Sequence, residues 1–104
     1  MMKQHRTVVC KDGFRVSIQA SKTNYCCPRR DEAPWIEVEL GYPSQPDWLI
    51  MEYAEDRSNP TATVYGYVPV DTVYLLLTKH GGVVEGEVPI GIPVYDKLFP
   101  KKNK

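Results

Sequence analysis

The chain has 104 residues, with 13 Lys and Arg against 13 Asp and Glu, so its formal net charge at pH 7 is zero. Zero net charge argues against binding nucleic acid through bulk electrostatics, and no apolar run approaches the roughly 20 residues of a membrane-spanning helix. The composition, 42% hydrophobic and 25% charged, is that of an ordinary folded domain. Three cysteines, an odd number without a secretion signal, favour reduced thiols. We therefore expect one small soluble domain in the cytoplasm.

The charges are distributed unevenly along the chain. Residues 1–30 carry seven basic side chains and one acidic side chain, whereas residues 31–72 carry nine acidic side chains and one basic side chain. Residues 73–104 are mildly basic. These opposite charges either neutralise each other across neighbouring strands or form two separate faces, depending on the fold.

The first predicted element is a β-hairpin over residues 7–20. Its two β-prone runs flank an Asp-Gly pair at 12–13, which is the preferred pair for a two-residue type I′ turn. Such a turn predicts that Val9 lies opposite Val16. On this register the second strand buries every other residue from Phe14 onward, while Val8 and Cys10 fall on the solvent face.

Residues 21–34 contain two prolines and show neither helical nor strand periodicity, which predicts a loop. Loops of this length in a small domain are usually functional or disordered. Residues 35–40 then alternate between apolar and polar side chains. The alternation predicts a third strand with Ile36, Val38 and Leu40 facing the core and the two intervening glutamates facing solvent.

A short helix of about ten residues is predicted next, with Ser44 as its N-cap and the Asp47 carboxylate in its first turn. A β-prone strand follows at residues 61–68. Its small apolar side chains alternate with larger ones, so Tyr65 and Tyr67 are predicted to share one face. The opposite, small face would suit close packing of a helix.

A second helix is predicted to begin at Pro69, because apolar residues recur at i, i+3, i+4 and i+7. Lys79 and His80 lie where the negative end of the helix dipole would be, and the glycines at 81–82 provide a left-handed cap. We therefore interpret His80 as a cation at the C-terminus of this helix.

Residues 83–85 predict a further short strand, and residues 88–99 alternate apolar residues with proline and glycine, which favours an extended arm. The element order predicts an α+β fold: an antiparallel sheet of four to five strands with two short helices on one face. We divide the chain into a single α+β domain, residues 1–87, and a Pro-rich arm with a basic tail, residues 88–104.

The sequence provides little support for catalysis. Cys10, Cys26 and Cys27 are too few and too poorly spaced for a zinc site, and glycine-rich phosphate loops and nucleophile elbows are absent from the sequence. The alternative is a reactive thiol at Cys26 or Cys27, with its pKa lowered by the arginines at 29–30 and with His80 as base. We predict no enzyme activity, no cofactor and no metal.

Two features favour recognition of a partner. The predicted loop brings together tyrosine, arginine and tryptophan, the residue types enriched at binding hot spots, and a second group of tyrosines lies on the strand at 61–68. The alternatives are that the arginines pair with neighbouring acids and that the rings pack as a second small core. The candidate binding residues are Tyr25, Arg29, Arg30, Trp35, Tyr65 and Tyr67.

Several stretches of the amino-acid sequence resemble those of one protein family. They are Val-Cys-Lys-Asp-Gly-Phe-Arg-Val-Ser-Ile-Gln-Ala-Ser at 9–21, Asn-Tyr-Cys with Pro-Arg at 24–29, Thr-Val-Tyr-Gly-Tyr-Val-Pro at 63–69 and Lys-His-Gly-Gly at 79–82. Together they resemble small uncharacterised proteins encoded by bacteriophages and prophages, over roughly residues 7–82. The resemblance implies an accessory protein in the cytoplasm of an infected host, of a kind that binds and blocks host proteins, including defence systems. It brings no known functional residue with it.

Three hypotheses follow. The first is a non-catalytic accessory protein that binds a host or phage protein. The second is a protein that binds a small molecule, with Arg29, Arg30 and the tyrosines holding a nucleotide-like ligand. The third is a structural or assembly protein that forms homo-oligomers through residues 88–99.

Overall fold

Five strands form one antiparallel sheet in the part of the chain that the structure, a computed structural model, describes, residues 4–92. In chain order the strands are β1 (Val8–Cys10), β2 (Arg15–Gln19), β3 (Glu37–Gly41), β4 (Val64–Pro69) and β5 (Val83–Glu85). They lie side by side in the order β4-β3-β2-β1-β5. The predicted α+β class and the five-stranded antiparallel sheet are therefore confirmed, while the predicted arm beyond residue 92 and the basic tail lie outside the described residues.

The described residues contain one α-helix, α1 (Val70–Lys79), and a short 3₁₀ turn (Met51–Tyr53). Helix α1 is the helix predicted from Pro69, except that Pro69 is its N-cap rather than its first residue, and two glycines with positive φ follow its end as predicted. Its inward face contributes to a core that also includes side chains from all five strands. The fully buried residues of that helical face are Val73, Leu76 and Leu77.

The prediction of a helix capped by Ser44, the first of the two predicted helices, is wrong. Instead of capping a helix, the Ser44 hydroxyl accepts a hydrogen bond from the Arg15 N–H at 2.9 Å, and the Ser44 N–H donates to the Arg15 carbonyl at 2.8 Å. The Asp47 carboxylate is buried and accepts the Leu49 N–H at 3.0 Å. Asp47 also has tertiary partners, since Lys79 Nζ lies 3.1 Å from its Oδ1 and His80 Nε2 lies 2.8 Å from its Oδ2. Because tertiary contacts hold both polar side chains, the segment forms turns and a 3₁₀ turn in place of the predicted helix.

The hairpin exists, but its predicted register is wrong by one residue. Val8 rather than Val9 pairs with Val16, and the Cys10 N–H donates to the Phe14 carbonyl at 2.8 Å. The loop between them therefore has three residues, and its last, Gly13, has a φ of +97° that suits glycine. A shift of one residue exchanges the faces of a strand, which explains why Val8 and Cys10 are buried in the core.

Strand β4 contains a bulge that the alternation of its side chains does not predict. Val38 pairs with Val68 and Leu40 pairs with Tyr65, so β4 has one more residue between the two pairs than β3 has. Tyr67 lies in this bulge with a φ of +54°. As a result Tyr65 is fully buried while Tyr67 is exposed, and the prediction that they share one face is wrong.

The start of β3 also differs from the prediction. Val38 and Leu40 are fully buried as expected, but Ile36 is exposed and Trp35 is buried instead. The regular strand begins only at residue 37, and before it the Ile36 N–H donates to the Cys27 carbonyl at 2.7 Å. The backbone of the preceding loop therefore sets the orientation of these two side chains.

Candidate functional site

Three tyrosines line a shallow groove beside β4, which forms one edge of the sheet. The groove has a volume of about 240 Å³ and is lined by Tyr25, Tyr53, Glu55, Gly66 and Tyr67. Its rings come from three segments: the long loop, the 3₁₀ turn and the bulge of β4. We call this feature the tyrosine groove.

The backbone of Tyr25 is anchored to two strands. The Glu39 carboxylate on β3 accepts the Asn24 side-chain amide at 2.8 Å and the Tyr25 N–H at 3.1 Å. The Tyr25 carbonyl in turn accepts the Tyr67 N–H at 2.9 Å. A glutamate predicted to be simply solvated therefore holds the loop against the sheet.

The bulge places Tyr67 next to Tyr25. The two ring centres are 5.9 Å apart with a tilt of 31° between the planes. A Cβ atom added to Gly66 would lie 3.2 Å from the Tyr25 Cβ, so glycine leaves room for that side chain. A positive φ at a non-glycine residue costs on the order of 1 kcal/mol, and such strain clusters at functional sites.

The opposite wall of the groove is held against the outer edge of β4. The Glu55 N–H donates to the Val64 carbonyl at 3.0 Å, and Ala54 forms an isolated bridge with Tyr65. The pKa of the neighbouring Tyr53 hydroxyl is raised, first by burial and then by its hydrogen bond to Glu52. This end of the groove is therefore acidic.

A cation lies beside Tyr25, on the rim of the groove. The Arg29 guanidinium lies 5.6 Å from the centre of the Tyr25 ring, within cation–π distance. The side chain of Arg29 is exposed. Beside Tyr25 the charge of Arg29 is therefore offset by the Glu39 carboxylate, whereas the Tyr53 side of the groove is acidic.

The structure brings three of the six predicted binding residues together: Tyr25, Arg29 and Tyr67. Tyr65 is buried, and its hydroxyl donates to the Pro60 carbonyl. Trp35 is also buried, with its indole N–H donating to the Arg30 carbonyl at 3.0 Å. These two aromatic residues stabilise the fold and are not accessible to a partner.

Arg30 is exposed but does not line the groove; its Nε donates to the Glu32 carbonyl at 3.1 Å. The prediction missed Tyr53, Glu55 and Gly66. Their segment was predicted as helix or as regular strand, and neither prediction brings them beside Tyr25. The aromatic content and the long loop are the sequence signals that did point to this surface.

A second polar cluster joins the hairpin loop, the turn at residues 45–50 and the end of α1. His80 is buried, and its Nδ1 and Nε2 lie 2.7 Å from Asp12 Oδ2 and 2.8 Å from Asp47 Oδ2. The Phe14 ring stacks on the imidazole with 3.9 Å between centres. Ionised carboxylates only accept hydrogen bonds, so a ring nitrogen of His80 that carries a hydrogen donates it to the carboxylate it faces.

Both carboxylates in this cluster have lowered pKa values. Burial alone would raise the pKa of Asp47, but hydrogen bonds from the Leu49 N–H, His80 and Lys79 outweigh it. The pKa of Asp12 is lowered first by the hydrogen bond from the Phe14 N–H and then by the one from His80. Because the carboxylates occupy both ring nitrogens, His80 is not placed to take a proton from a nucleophile.

The environments of the cysteines bear on the predicted alternative of a reactive thiol at Cys26 or Cys27. Cys26 is buried and donates to the Ser21 carbonyl at 3.1 Å, and burial raises its pKa despite the nearby Arg29. Burial and the Asp12 charge raise the pKa of Cys10 to about 11.

We expect iodoacetamide at pH 7 to label half-buried Cys27 first, and Cys10 and Cys26 only after unfolding. Peptide mass spectrometry over time measures this; native labelling of Cys26 as fast as that of Cys27 would contradict it.

No family model, no curated protein and no solved structure matches this chain. The resemblance to bacteriophage proteins therefore stays a prediction. Within residues 4–92, no group of three or more His, Cys, Asp or Glu side chains is arranged to hold a metal ion. No helix in that part of the chain is long and apolar enough to cross a membrane.

Proposed function

We propose that this chain is a non-catalytic binding protein that takes a segment of a partner protein into the tyrosine groove. The observation that carries the proposal is the fixed placement of Tyr25 and Tyr67, whose backbones are hydrogen-bonded to each other and, through Glu39, to the sheet. Tyrosine rings bury a large area at small entropic cost. A preorganised pair of them reduces the ordering that binding would require.

The other polar features of the fold support binding better than catalysis. The Asp12–His80–Asp47 cluster is satisfied internally and lies apart from the residues that line the groove. A second shallow cleft, of about 180 Å³, is lined by uncharged side chains and Glu39 alone among charged residues. The nucleotide hypothesis requires Arg29, Arg30 and the tyrosines to act together, and it has less support because Arg30 does not line the groove whereas the acidic Glu55 does.

The resemblance to bacteriophage proteins adds a context to this proposal. In that context the partner is a host protein, and blocking a host defence system is the role that the resemblance implies. The groove supports the binding step, whichever protein the partner is.

The test is capture of a partner from bacterial lysate by the tagged full-length chain, compared with two variants. Tyr67→Ala removes a groove ring, whereas Tyr42→Ala removes another exposed tyrosine that also has a positive φ, of 50°, but lies outside the groove. We expect a stoichiometric partner that is retained by the wild type and by Tyr42→Ala and lost with Tyr67→Ala. A partner that both variants retain equally, or the lack of any stoichiometric partner, would overturn the proposal.

A further inference from the structure

The tyrosine groove lies along a sheet edge whose outward-facing backbone groups already form hydrogen bonds within the chain. On the outer side of β4 the Val64 carbonyl accepts the Glu55 N–H at 3.0 Å, and the Tyr67 N–H donates to the Tyr25 carbonyl at 2.9 Å. A partner strand that added to this edge would need these same groups. Recognition at the groove must therefore use side chains rather than a continued β-ladder.

Resting on the proposed function, we propose that the groove binds an extended, proline-containing segment of a partner protein, with a lysine or arginine of that segment at the acidic end. Polyproline II helices lack internal hydrogen bonds and are recognised by aromatic grooves through their side chains. Such a segment suits a site whose edge groups are occupied.

The spacing of the rings fits this occupant. The Tyr25 and Tyr67 ring centres are 5.9 Å apart. A polyproline II helix advances about 3.1 Å per residue, so residues two positions apart are separated by about 6 Å. Because this helix has three residues per turn, residues two positions apart lie on neighbouring edges of it, and both edges can rest on the two rings. Gly66 lines the groove between the strand residues without adding a side chain.

The charges set the direction and the composition of the segment. Glu55 lines the groove, and the charges of Glu52 and Glu37 act on the Tyr53 hydroxyl at the same end. Arg57 offsets part of this charge, since its guanidinium donates to the Glu52 carbonyl at 3.3 Å. Two negative charges remain in excess there, whereas the charges of Arg29 and Glu39 offset each other beside Tyr25. A basic residue of the partner is therefore favoured at the Tyr53 end.

The test uses three synthetic peptides titrated into the full-length chain and followed by fluorescence anisotropy. The first has the sequence Pro-Pro-Leu-Pro-Pro-Lys-Pro-Lys; the second replaces both lysines with glutamate, and the third replaces every proline with alanine. We expect the first to bind at least about ten-fold more tightly than either of the others, a difference of about 1.4 kcal/mol. Tyr67→Ala is expected to abolish its binding, and Glu55→Gln to weaken it about three-fold, whereas Tyr42→Ala leaves it unchanged.

Equal affinity for the lysine and glutamate peptides, or for the proline and alanine peptides, would overturn the inference. If no peptide binds while lysate capture still depends on Tyr67, the assigned occupant is wrong and the proposed function stands. If capture does not depend on Tyr67 either, both fail. A fourth peptide, residues 93–104 of this chain, contains two prolines and four lysines. Tighter binding of that peptide than of the first would assign the groove to the chain's own C-terminal segment and overturn the assignment to a partner.

Discussion

Replacing Asp47 with alanine is expected to lower the free energy of unfolding by about 3 kcal/mol, the loss typical when one partner of a buried ion pair is removed. The substitution leaves Nε2 of the buried His80 without its partner, Asp47 Oδ2 at 2.8 Å, and removes the ion pair between Asp47 and Lys79 Nζ at 3.1 Å. Lys79, whose side chain is more exposed, can reach water instead. Urea unfolding followed by circular dichroism measures the loss, which is a large fraction of the 5–15 kcal/mol that small domains have.

Asp12→Ala is the control variant, because it removes the other, more exposed carboxylate that contacts His80. Its carboxylate also contacts His80, at 2.7 Å, but its side chain is 49% exposed, so water can replace it. We expect a clearly smaller loss than for Asp47→Ala. Equal losses for the two variants, or no loss for Asp47→Ala, would show that burial of the ion pair does not control the stability of this region.

The same cluster determines how stability depends on pH. The folded-state pKa values of Asp12 and Asp47 are lowered below the ordinary value of 3.8 by their hydrogen bonds. Their contribution is therefore fully present above about pH 4 and is lost as the pH falls through the folded-state values. Urea midpoints measured between pH 2 and 7 should decline steeply on the acid side for the wild type and less steeply for Asp47→Asn, which does not titrate.

The two errors in strand register show where sequence patterns stop being informative. An Asp-Gly pair fits both a two-residue and a three-residue hairpin loop, and local propensity does not distinguish them. The choice depends on which side of β1 must be buried, and burial of Val8 and Cys10 in the shared core favours the longer loop. In β4, a periodicity of two cannot reveal the extra residue near Tyr67, because the bulge is set by pairing with β3.

The candidate site was predictable in composition but not in geometry. Tyr25, Arg29 and Tyr67 are the residue types expected at a binding surface, and a long loop beside a tyrosine-rich strand indicated where to look. What joins them is the contact of Glu39 with the Tyr25 backbone, across 14 positions of the chain. The His80–Asp12 contact spans 68 positions. Such pairings are fixed by the packed fold, which a pattern of neighbouring residues does not specify.

Replacing Tyr65 with alanine is expected to cost about 4 kcal/mol of stability, in the range for truncating a large buried ring. Tyr65 is fully buried, burial raises the pKa of its hydroxyl, and that hydroxyl donates to the Pro60 carbonyl. Tyr65→Phe separates the ring from the hydrogen bond and should cost only about 1 kcal/mol. The free energies of unfolding of the two variants, from urea denaturation, test this division.

Tyr67 is the matched control, because it lies two residues away on the same strand. If the side chains alternated regularly, Tyr67 would be buried like Tyr65. Tyr67 is 44% exposed and its φ is +54°, so Tyr67→Gly removes little buried area and relieves an unfavourable backbone conformation. We expect Tyr67→Gly to change stability by less than about 1 kcal/mol in either direction. Similar large losses for Tyr65→Ala and Tyr67→Gly would mean that β4 has no bulge. Without the bulge Tyr67 would not lie beside Tyr25, and the tyrosine groove would not form.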